Sequence, residues 1–205
     1  HKKRKPASED LNGLDMVVFD LQDAGVRFYT YISTLHYVME SCAESNIPLL
    51  VLDRPNPNGF YIDGPVLEPA YRSFLGMHPI PIVYGLTIGE LAYMINNEGW
   101  LKNGIRCKVN VIQCENYTHR SYYDLPVNPS PNLTSMKAIY LYPTLGLFTG
   151  TVMNMGRGTD FPFLVVGHPE FADHSFSYIP VPRTGAKNPK YRGQLCYGID
   201  MRNLS

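Results

Sequence analysis

The sequence predicts an α/β fold: a mostly parallel sheet with flanking helices, followed by the start of a smaller α+β domain. Two observations lead to this fold class. Short apolar runs alternate with stretches of helical periodicity up to about residue 150, and strand-like pieces separated by Pro and Gly follow. We therefore expect an α/β domain at 1–150 that lacks its N-terminal part, and the beginning of a truncated C-terminal domain at 151–205.

The first predicted unit is strand, helix, strand. Residues 14–19 are a short apolar run rich in β-branched side chains, and residues 48–52 are a second one. Between them, residues 29–45 carry apolar side chains at spacings of three and four, which indicates an amphipathic helix. A unit of this kind is right-handed and places its two strands in parallel.

A long loop rich in Pro and Gly is predicted at residues 54–86. A helix then begins after Thr87, where Thr87 and Glu90 form a T-x-x-E capping box. We interpret Glu90 as a capping residue rather than as a catalytic acid, and His36 as a packing residue; for His78 both interpretations stay open. Further predicted elements are a strand at 106–113, a partly helical stretch at 133–147, and short strands at 151–155, 176–180 and 194–201.

Composition excludes several classes of partner. The chain has 205 residues, with 18 Lys and Arg against 18 Asp and Glu, so its formal net charge is zero and we expect no nucleic-acid binding. No apolar run reaches the roughly 20 residues of a membrane-spanning helix. The sequence contains no C-x-x-C pair, no phosphate-binding loop motif, no G-x-G-x-x-G and no G-x-S-x-G. We therefore expect no metal and no cofactor.

Polar residues follow both strands of the first unit, and these are the first candidate site. In open parallel sheets, ligands bind beyond the carboxyl ends of the strands, where neighbouring ends share one rim. A local role is the alternative, since a carboxylate at such a turn often caps a helix and an arginine can pair with it. The candidates are Asp20, Gln22, Asp23, Arg27 and Tyr31 after the first strand, and Asp53, Arg54 and Asn56 after the second.

A third group lies further along the chain. The motif GRGTD at residues 156–160 places Arg157 between two glycines, which allow the backbone to approach a ligand closely. Thr159 and Asp160 complete this group, and Asn132 lies in the Pro-rich loop before it. The alternative is a Gly-rich turn in which Asp160 caps the next element.

Seven motifs, in order, resemble a bacterial family long called a domain of unknown function and now described as NamZ-like exo-β-N-acetylmuramidases. The resemblance extends from about Lys5 to Met201. The motifs are VFDLQDAGVRFYTY at 18–31, LDRPNPNG at 52–59, GPVL at 64–67, GMHPIP at 76–81, TIGEL at 87–91, SPN at 130–132 and GRGTD at 156–160.

This resemblance implies a glycosidase that releases terminal N-acetylmuramic acid from the non-reducing ends of peptidoglycan fragments. It implies a cell-wall recycling role outside the cytoplasm, and an active site in the cleft between a Rossmann-like and a smaller domain. Complete members are nearly twice this length and carry an upstream Pro-Glu-His-Gly segment, to which we assign the main catalytic carboxylate. That segment does not occur here, so we expect this chain to be a piece of a longer member.

The resemblance also suggests roles for the candidate residues. Glycoside hydrolysis uses two carboxyl groups, and Asp20 or Asp23 is the candidate for the second. Substrate-assisted catalysis through the acetamido group, retention and inversion all stay open. The other candidates are expected to bind the sugar, with Arg27, Arg54 or Arg157 meeting its lactyl carboxylate. The alternative function is a non-catalytic sugar- or muropeptide-binding module.

Overall fold

The structure, a computed structural model, describes residues 3–204. It divides into two compact units, His1–Tyr123 and Asp124–Ser205. This division falls earlier in the chain than the expected domain boundary at residue 150, which stays a prediction.

The first unit contains a three-stranded parallel sheet in the order β1-β2-β3. The predicted parallel strand–helix–strand unit is therefore confirmed, as is the strand predicted at 106–113. The elements are α1 (Ser8–Leu11), β1 (Val17–Phe19), α2 (Tyr31–Glu44), β2 (Leu49–Leu52), α3 (Ile88–Asn97) and β3 (Val109–Ile112).

The two faces of this sheet differ in burial. Alternate side chains, such as Phe19, Leu49 and Val51, are buried in one apolar cluster with residues of α2 and α3. The opposite face stays accessible, with Val18 53% exposed and Ile112 58% exposed. Parallel sheets are normally covered on both faces, so the accessible face is unusual.

The predicted helix cap and the predicted long loop are both confirmed. Thr87 is the N-cap of α3, and its hydroxyl accepts from the backbone N–H of Glu90, whose carboxylate accepts from the N–H of Thr87. Between β2 and α3 the chain forms only one short 3₁₀ turn and isolated bridges, such as that between Asp63 and Val83. The loop nevertheless folds back on itself and brings residue 83 beside Val26.

The second unit combines one helix with a small antiparallel sheet in the order β4-β6-β5. Its elements are α4 (Met136–Leu145), β4 (Val165–His168), β5 (Phe176–Tyr178) and β6 (Cys196–Asp200). The helical stretch and the strands predicted at 176–180 and 194–201 are confirmed, and β4 was not predicted.

The strand predicted at 151–155 is wrong. Only Asn154 pairs there, in an isolated bridge with Gly167. The Thr151 hydroxyl donates to the carbonyl of Phe148 and accepts from the N–H of Met153, which favours a turn over extended backbone.

Among residues 3–204, no helix combines the length and the apolar character that crossing a membrane requires.

Candidate functional site

The loops that follow β1 and β2 are joined by side chains. Arg54 Nε donates to Asp20 Oδ1 at 2.7 Å, and both side chains are more than 40% exposed. Gln22 Nε2 donates to the carbonyl of Asp23 and to that of Pro55, each at 2.9 Å. The parallel pairing of β1 and β2 thus brings these two groups of candidate residues to one rim of the first unit.

Asp23 is buried rather than presented at this rim. Its side chain is 3% exposed, and its Oδ2 accepts from the N–H of Gly25 at 2.6 Å and from the Tyr84 hydroxyl, while Oδ1 has no hydrogen-bond partner. Burial raises the pKa of Asp23 to about 6, although the bonds from Tyr84 and Gly25 oppose this shift. A general acid needs such a pKa, but it also needs access to its substrate.

Asp53 caps α3. Its Oδ1 accepts from the N–H of Gly89 at 2.8 Å and from that of Arg54 at 3.0 Å, and its Oδ2 accepts from the Thr87 hydroxyl at 2.7 Å. Because the first N–H groups of a helix lack partners within the helix, a carboxylate at this place satisfies one of them. The geometry of Asp53 therefore supports the local role considered for it, which is to cap a helix.

Arg27 and Asn56 are bonded to backbone. Arg27 Nη1 donates to the carbonyls of Pro65 and Ile80, and no carboxylate is bonded to it among the described residues. Asn56 is buried, donates to the carbonyl of Leu86 at 2.8 Å and accepts from the N–H of Asn58 at 2.8 Å. These two side chains hold the long loop in place.

Tyr31 is the first residue of α2 and is half-buried. Its ring meets that of Tyr29 edge to face, with the centroids 4.9 Å apart. Tyr31 thus follows the rim residues in the chain and packs against a neighbouring tyrosine.

In the second unit, three of the four remaining candidates, Asn132, Thr159 and Asp160, line a polar cavity of about 380 Å³. Three separate loops build its wall, and they contribute hydroxyl, amide, carboxylate and guanidinium groups. The volume lies in the usual range of small-molecule sites, about 300–1,000 Å³. The cavity is lined by Pro131, Asn132, Thr134, Gly158, Thr159, Asp160, Pro162, Arg183, Thr184 and Ala186.

One carbonyl oxygen joins the three loops. Asn132 Nδ2 donates to the carbonyl of Gly185 at 3.0 Å, and Arg157 Nη2 donates to the same oxygen at 2.8 Å. Arg157 lines a smaller neighbouring cavity of about 70 Å³, and its buried Nε has no hydrogen-bond partner. The structure thus brings Asn132, Arg157, Thr159 and Asp160 together within the second unit.

Asp160 pairs with Arg183 instead of capping an element. Both terminal nitrogens of Arg183 donate to the Asp160 carboxylate. Arg183 is a site residue that the sequence analysis missed. Residues 183–185 are Arg, Thr and Gly, which are residue types that also occur in the motif at 156–160. This similarity in composition could have identified Arg183 as a candidate.

Two histidines in the first unit form a buried pair. His36 Nδ1 lies 3.0 Å from His78 Nε2, and His36 Nε2 lies 3.3 Å from Glu40 Oε1. Burial lowers the pKa of His78 to about 3 and also lowers that of His36, so both rings are neutral at pH 7. The packing role predicted for His36 is confirmed, and within residues 3–204 no cluster of side chains could hold a metal ion.

A cavity in the first unit measures about 470 Å³, and half of its eight lining residues carry an aromatic ring. Phe60, Tyr61, Tyr84 and His119 contribute to its wall. His119 Nε2 lies 2.9 Å from Glu90 Oε1, and that carboxylate raises the pKa of His119. Glu90 thus serves both as the predicted cap and as the partner of this histidine.

Comparison with known proteins agrees with this architecture. The chain is 40% identical to the peptidoglycan beta-N-acetylmuramidase NamZ of Bacillus subtilis over 216 aligned residues, covering 98% of this chain and 51% of the Bacillus protein. It thus spans about half the length of that curated relative.

Two crystal structures of DUF1343 family proteins from Bacteroides fragilis have the same fold. One is 50% identical with a TM-score of 0.95, and the other is 30% identical with a TM-score of 0.83. Each match covers 98% of this chain, and it covers 57% of the first protein and 56% of the second.

Two family models account for nearly the whole sequence. The model for the N-terminal part of exo-beta-N-acetylmuramidase NamZ matches residues 1–137, and the model for its C-terminal part matches residues 140–205. The chain belongs to the NamZ family.

Proposed function

We propose that this chain is part of a glycosidase acting on peptidoglycan, and that the whole protein releases N-acetylmuramic acid from the non-reducing ends of peptidoglycan fragments. Membership of the NamZ family and the name of the Bacillus relative support the coarser activity. We place this activity outside the cytoplasm, in the recycling of cell-wall material. No cofactor is part of the proposal.

The observation that carries the proposal is the polar cavity of the second unit. Its wall combines an amide, three threonine side chains, a carboxylate and a guanidinium around about 380 Å³. A sugar ring presents many hydroxyl groups and needs such donors and acceptors at fixed positions. The shared Gly185 acceptor fixes Asn132 and Arg157, and the ion pair fixes Asp160.

At the rim of the first unit, Asp20 is the better candidate for a carboxylate that meets substrate. It is more than 40% exposed, whereas Asp23 is buried and Asp53 caps a helix. Arg54 Nε donates to one oxygen of the Asp20 carboxylate and so orients it at the rim. Gln22, Arg27 and Asn56 act through the backbone that they bind.

The test is the release of N-acetylmuramic acid from a disaccharide of N-acetylmuramic acid and N-acetylglucosamine. This chain and the longer protein that contains it are assayed side by side, and the longer protein carries D20N or D15N. Asp15 is also exposed but lies before β1, at the opposite end of the strand. We expect release by the longer protein, a loss of about 100-fold in kcat with D20N, and no loss with D15N.

The alternative is a sugar- or muropeptide-binding module. It is favoured by the state of the candidate carboxylates in the first unit, since each of them is buried, capping a helix or paired with an arginine. Binding of the disaccharide without release by either protein would select this alternative. Release by the longer protein would exclude it.

A further inference from the structure

Arg183 is held in one orientation at the wall of the polar cavity. Its two terminal nitrogens donate to the two oxygens of Asp160, an arrangement that fixes the plane of the guanidinium. An arginine side chain carries five N–H donors. Asp160 uses two of them, and the edge formed by Nε and one terminal nitrogen has no hydrogen bond among the described residues.

The other arginines named in the sequence analysis are less available for a ligand. Arg27 donates to two backbone carbonyls, and Arg157 donates to the carbonyl of Gly185 while its Nε is buried. Arg54 is bonded to Asp20 in the other unit of the chain. Arg183 alone among these four lines the cavity of 380 Å³.

We infer that Arg183 is a specificity-determining residue which binds a carboxylate group of the ligand through its remaining N–H edge, with Asp160 as its positioning residue. This inference rests on the proposed function and deepens it, because it names the residue of this chain that recognises the acid group of the proposed substrate. A guanidinium edge and a carboxylate match in shape, because two parallel N–H groups meet two oxygens.

The surrounding groups fit the rest of such a sugar. The Asn132 side-chain oxygen has no hydrogen bond among the described residues and accepts from a hydroxyl or an amide N–H. Thr134 and Thr184 add hydroxyl groups at the same wall, and Pro131 and Pro162 add apolar surface for a methyl group. The uncharged side chains of the cavity can therefore contact the sugar ring, and the guanidinium edge of Arg183 can bind the carboxylate of the ligand.

The experiment compares N-acetylmuramic acid with N-acetylglucosamine, which lacks the lactyl group, and with the carboxamide of N-acetylmuramic acid, which lacks only the charge. Their binding to the 205-residue chain is titrated by ligand-observed NMR. We expect the acid to bind about tenfold more tightly than the two neutral sugars, since charge-assisted hydrogen bonds are about twice as strong as neutral ones.

Three variants distinguish an effect on carboxylate binding from an effect on the folding of the chain. In R183Q, we expect affinity for the acid to fall about tenfold, to the level of the neutral sugars, whose own affinity is unchanged. In D160N the guanidinium remains but loses its positioning carboxylate, so we expect the preference for the acid to fall to about threefold while the affinity for the neutral sugars stays unchanged. R202Q is the matched control, because Arg202 forms a similar ion pair with Asp200 outside the cavity, and it should change none of the three affinities.

Two results would overturn the inference: an R183Q variant that keeps the preference for the acid, or no binding of N-acetylmuramic acid by the unmodified chain up to about 10 mM. Thermal unfolding of R183Q is compared with that of R202Q, so that a general loss of structure is recognised. Failure of the proposed function looks different, because there the acid binds through Arg183 but the longer protein releases no sugar.

Discussion

Asn132 and Arg157 donate hydrogen bonds to the same acceptor, the carbonyl oxygen of Gly185, over 3.0 and 2.8 Å. Two motifs that are separated in the sequence are thereby joined through a third loop. Gly185 has a positive φ of +82°, and a Cβ placed on it would lie 2.7 Å from Asn132 Nδ2. The geometry of the polar cavity thus depends on a residue without a side chain.

For G185A we therefore expect a destabilised second unit. The left-handed backbone conformation and the clash with Asn132 together should lower the free energy of unfolding by about 2 kcal/mol, measured by chemical denaturation. Gly193 also has a positive φ, but no atom lies within 4 Å of a Cβ placed there. In the control G193A, the free energy of unfolding should fall only by the cost of the backbone strain. Equal decreases in the free energy of unfolding of both variants would contradict the role of the Asn132 contact.

The capping role of Asp53 predicts a stability effect. D53A removes the acceptor of Gly89 and Thr87, and we expect the free energy of unfolding to fall by about 2 kcal/mol. D53N retains one oxygen acceptor and should lose less than half as much. Denaturant titration of both variants, with D15N as an exposed control, checks this. If Asp53 contributes nothing to the cap, D53A will unfold at the same denaturant concentration as the unmodified chain.

Buried Asp23 predicts a dependence of stability on pH. Its pKa is about 6 in the folded chain against a usual value near 3.9, so the folded state binds the proton more tightly between these pH values. The carboxylate therefore costs stability above pH 6, and this cost disappears as the pH falls through that window. D23N lacks the charge, and we expect its stability relative to the unmodified chain to be higher by roughly 2–3 kcal/mol at pH 8 than at pH 4. A difference that does not change with pH would show that Asp23 titrates normally.

His78 predicts a pH dependence of the opposite sign. Its pKa is lowered to about 3, mainly by burial and also by His36 and Arg72, while Glu40 and Lys5 lie on the far side of His36. The unfolded chain binds this proton below about pH 6.5 and the folded chain does not, so stability is lost as the pH falls from 6.5 towards 3.

The variant H78Q isolates that contribution. Its stability deficit relative to the unmodified chain should shrink by roughly 3 kcal/mol between pH 7 and pH 4, measured as the free energy of unfolding in urea. The two chains share Asp23, so its effect cancels in the difference. Parallel pH profiles would contradict this prediction, because they would mean that the pKa of His78 is the same in the folded and the unfolded chain.

The accessible face of the parallel sheet predicts self-association of this chain. Val18 and Ile112 lie on that face, next to the half-buried Leu50 and Leu52. The exposed polar Asn110 shares this face, and the apolar side chains around it favour contact with another surface. We expect sedimentation analysis to detect oligomers at about 100 µM and the double variant V18K/I112K to be monomeric. L75K, at an exposed leucine outside the sheet, should leave the oligomers intact. A monomeric unmodified chain would contradict this prediction.

Local patterns predicted the elements of the first unit well. The β-branched runs, the helical spacing of 29–45 and the capping box at Thr87 depend on residues only a few positions apart, and all three are present in the structure. The turn at Thr151 was misread as a strand because a hydroxyl that bonds the backbone leaves no trace in hydrophobic periodicity. The site could be predicted only in outline, since its residue types were visible but their partners were not.

Local patterns and ordered motifs were sufficient to predict the α/β class, the parallel pairing of β1 and β2, the polar rim behind these strands and membership of the family. The folded structure shows which polar residues of the motifs are exposed. It buried Asp23, assigned Asp53 to a helix N-terminus, bonded Arg27 and Asn56 to the backbone, and brought Arg183 to Asp160. The physical reason is that local structure follows from neighbouring residues, whereas a hydrogen-bond partner is chosen between segments that are tens of residues apart and meet only when the chain is folded.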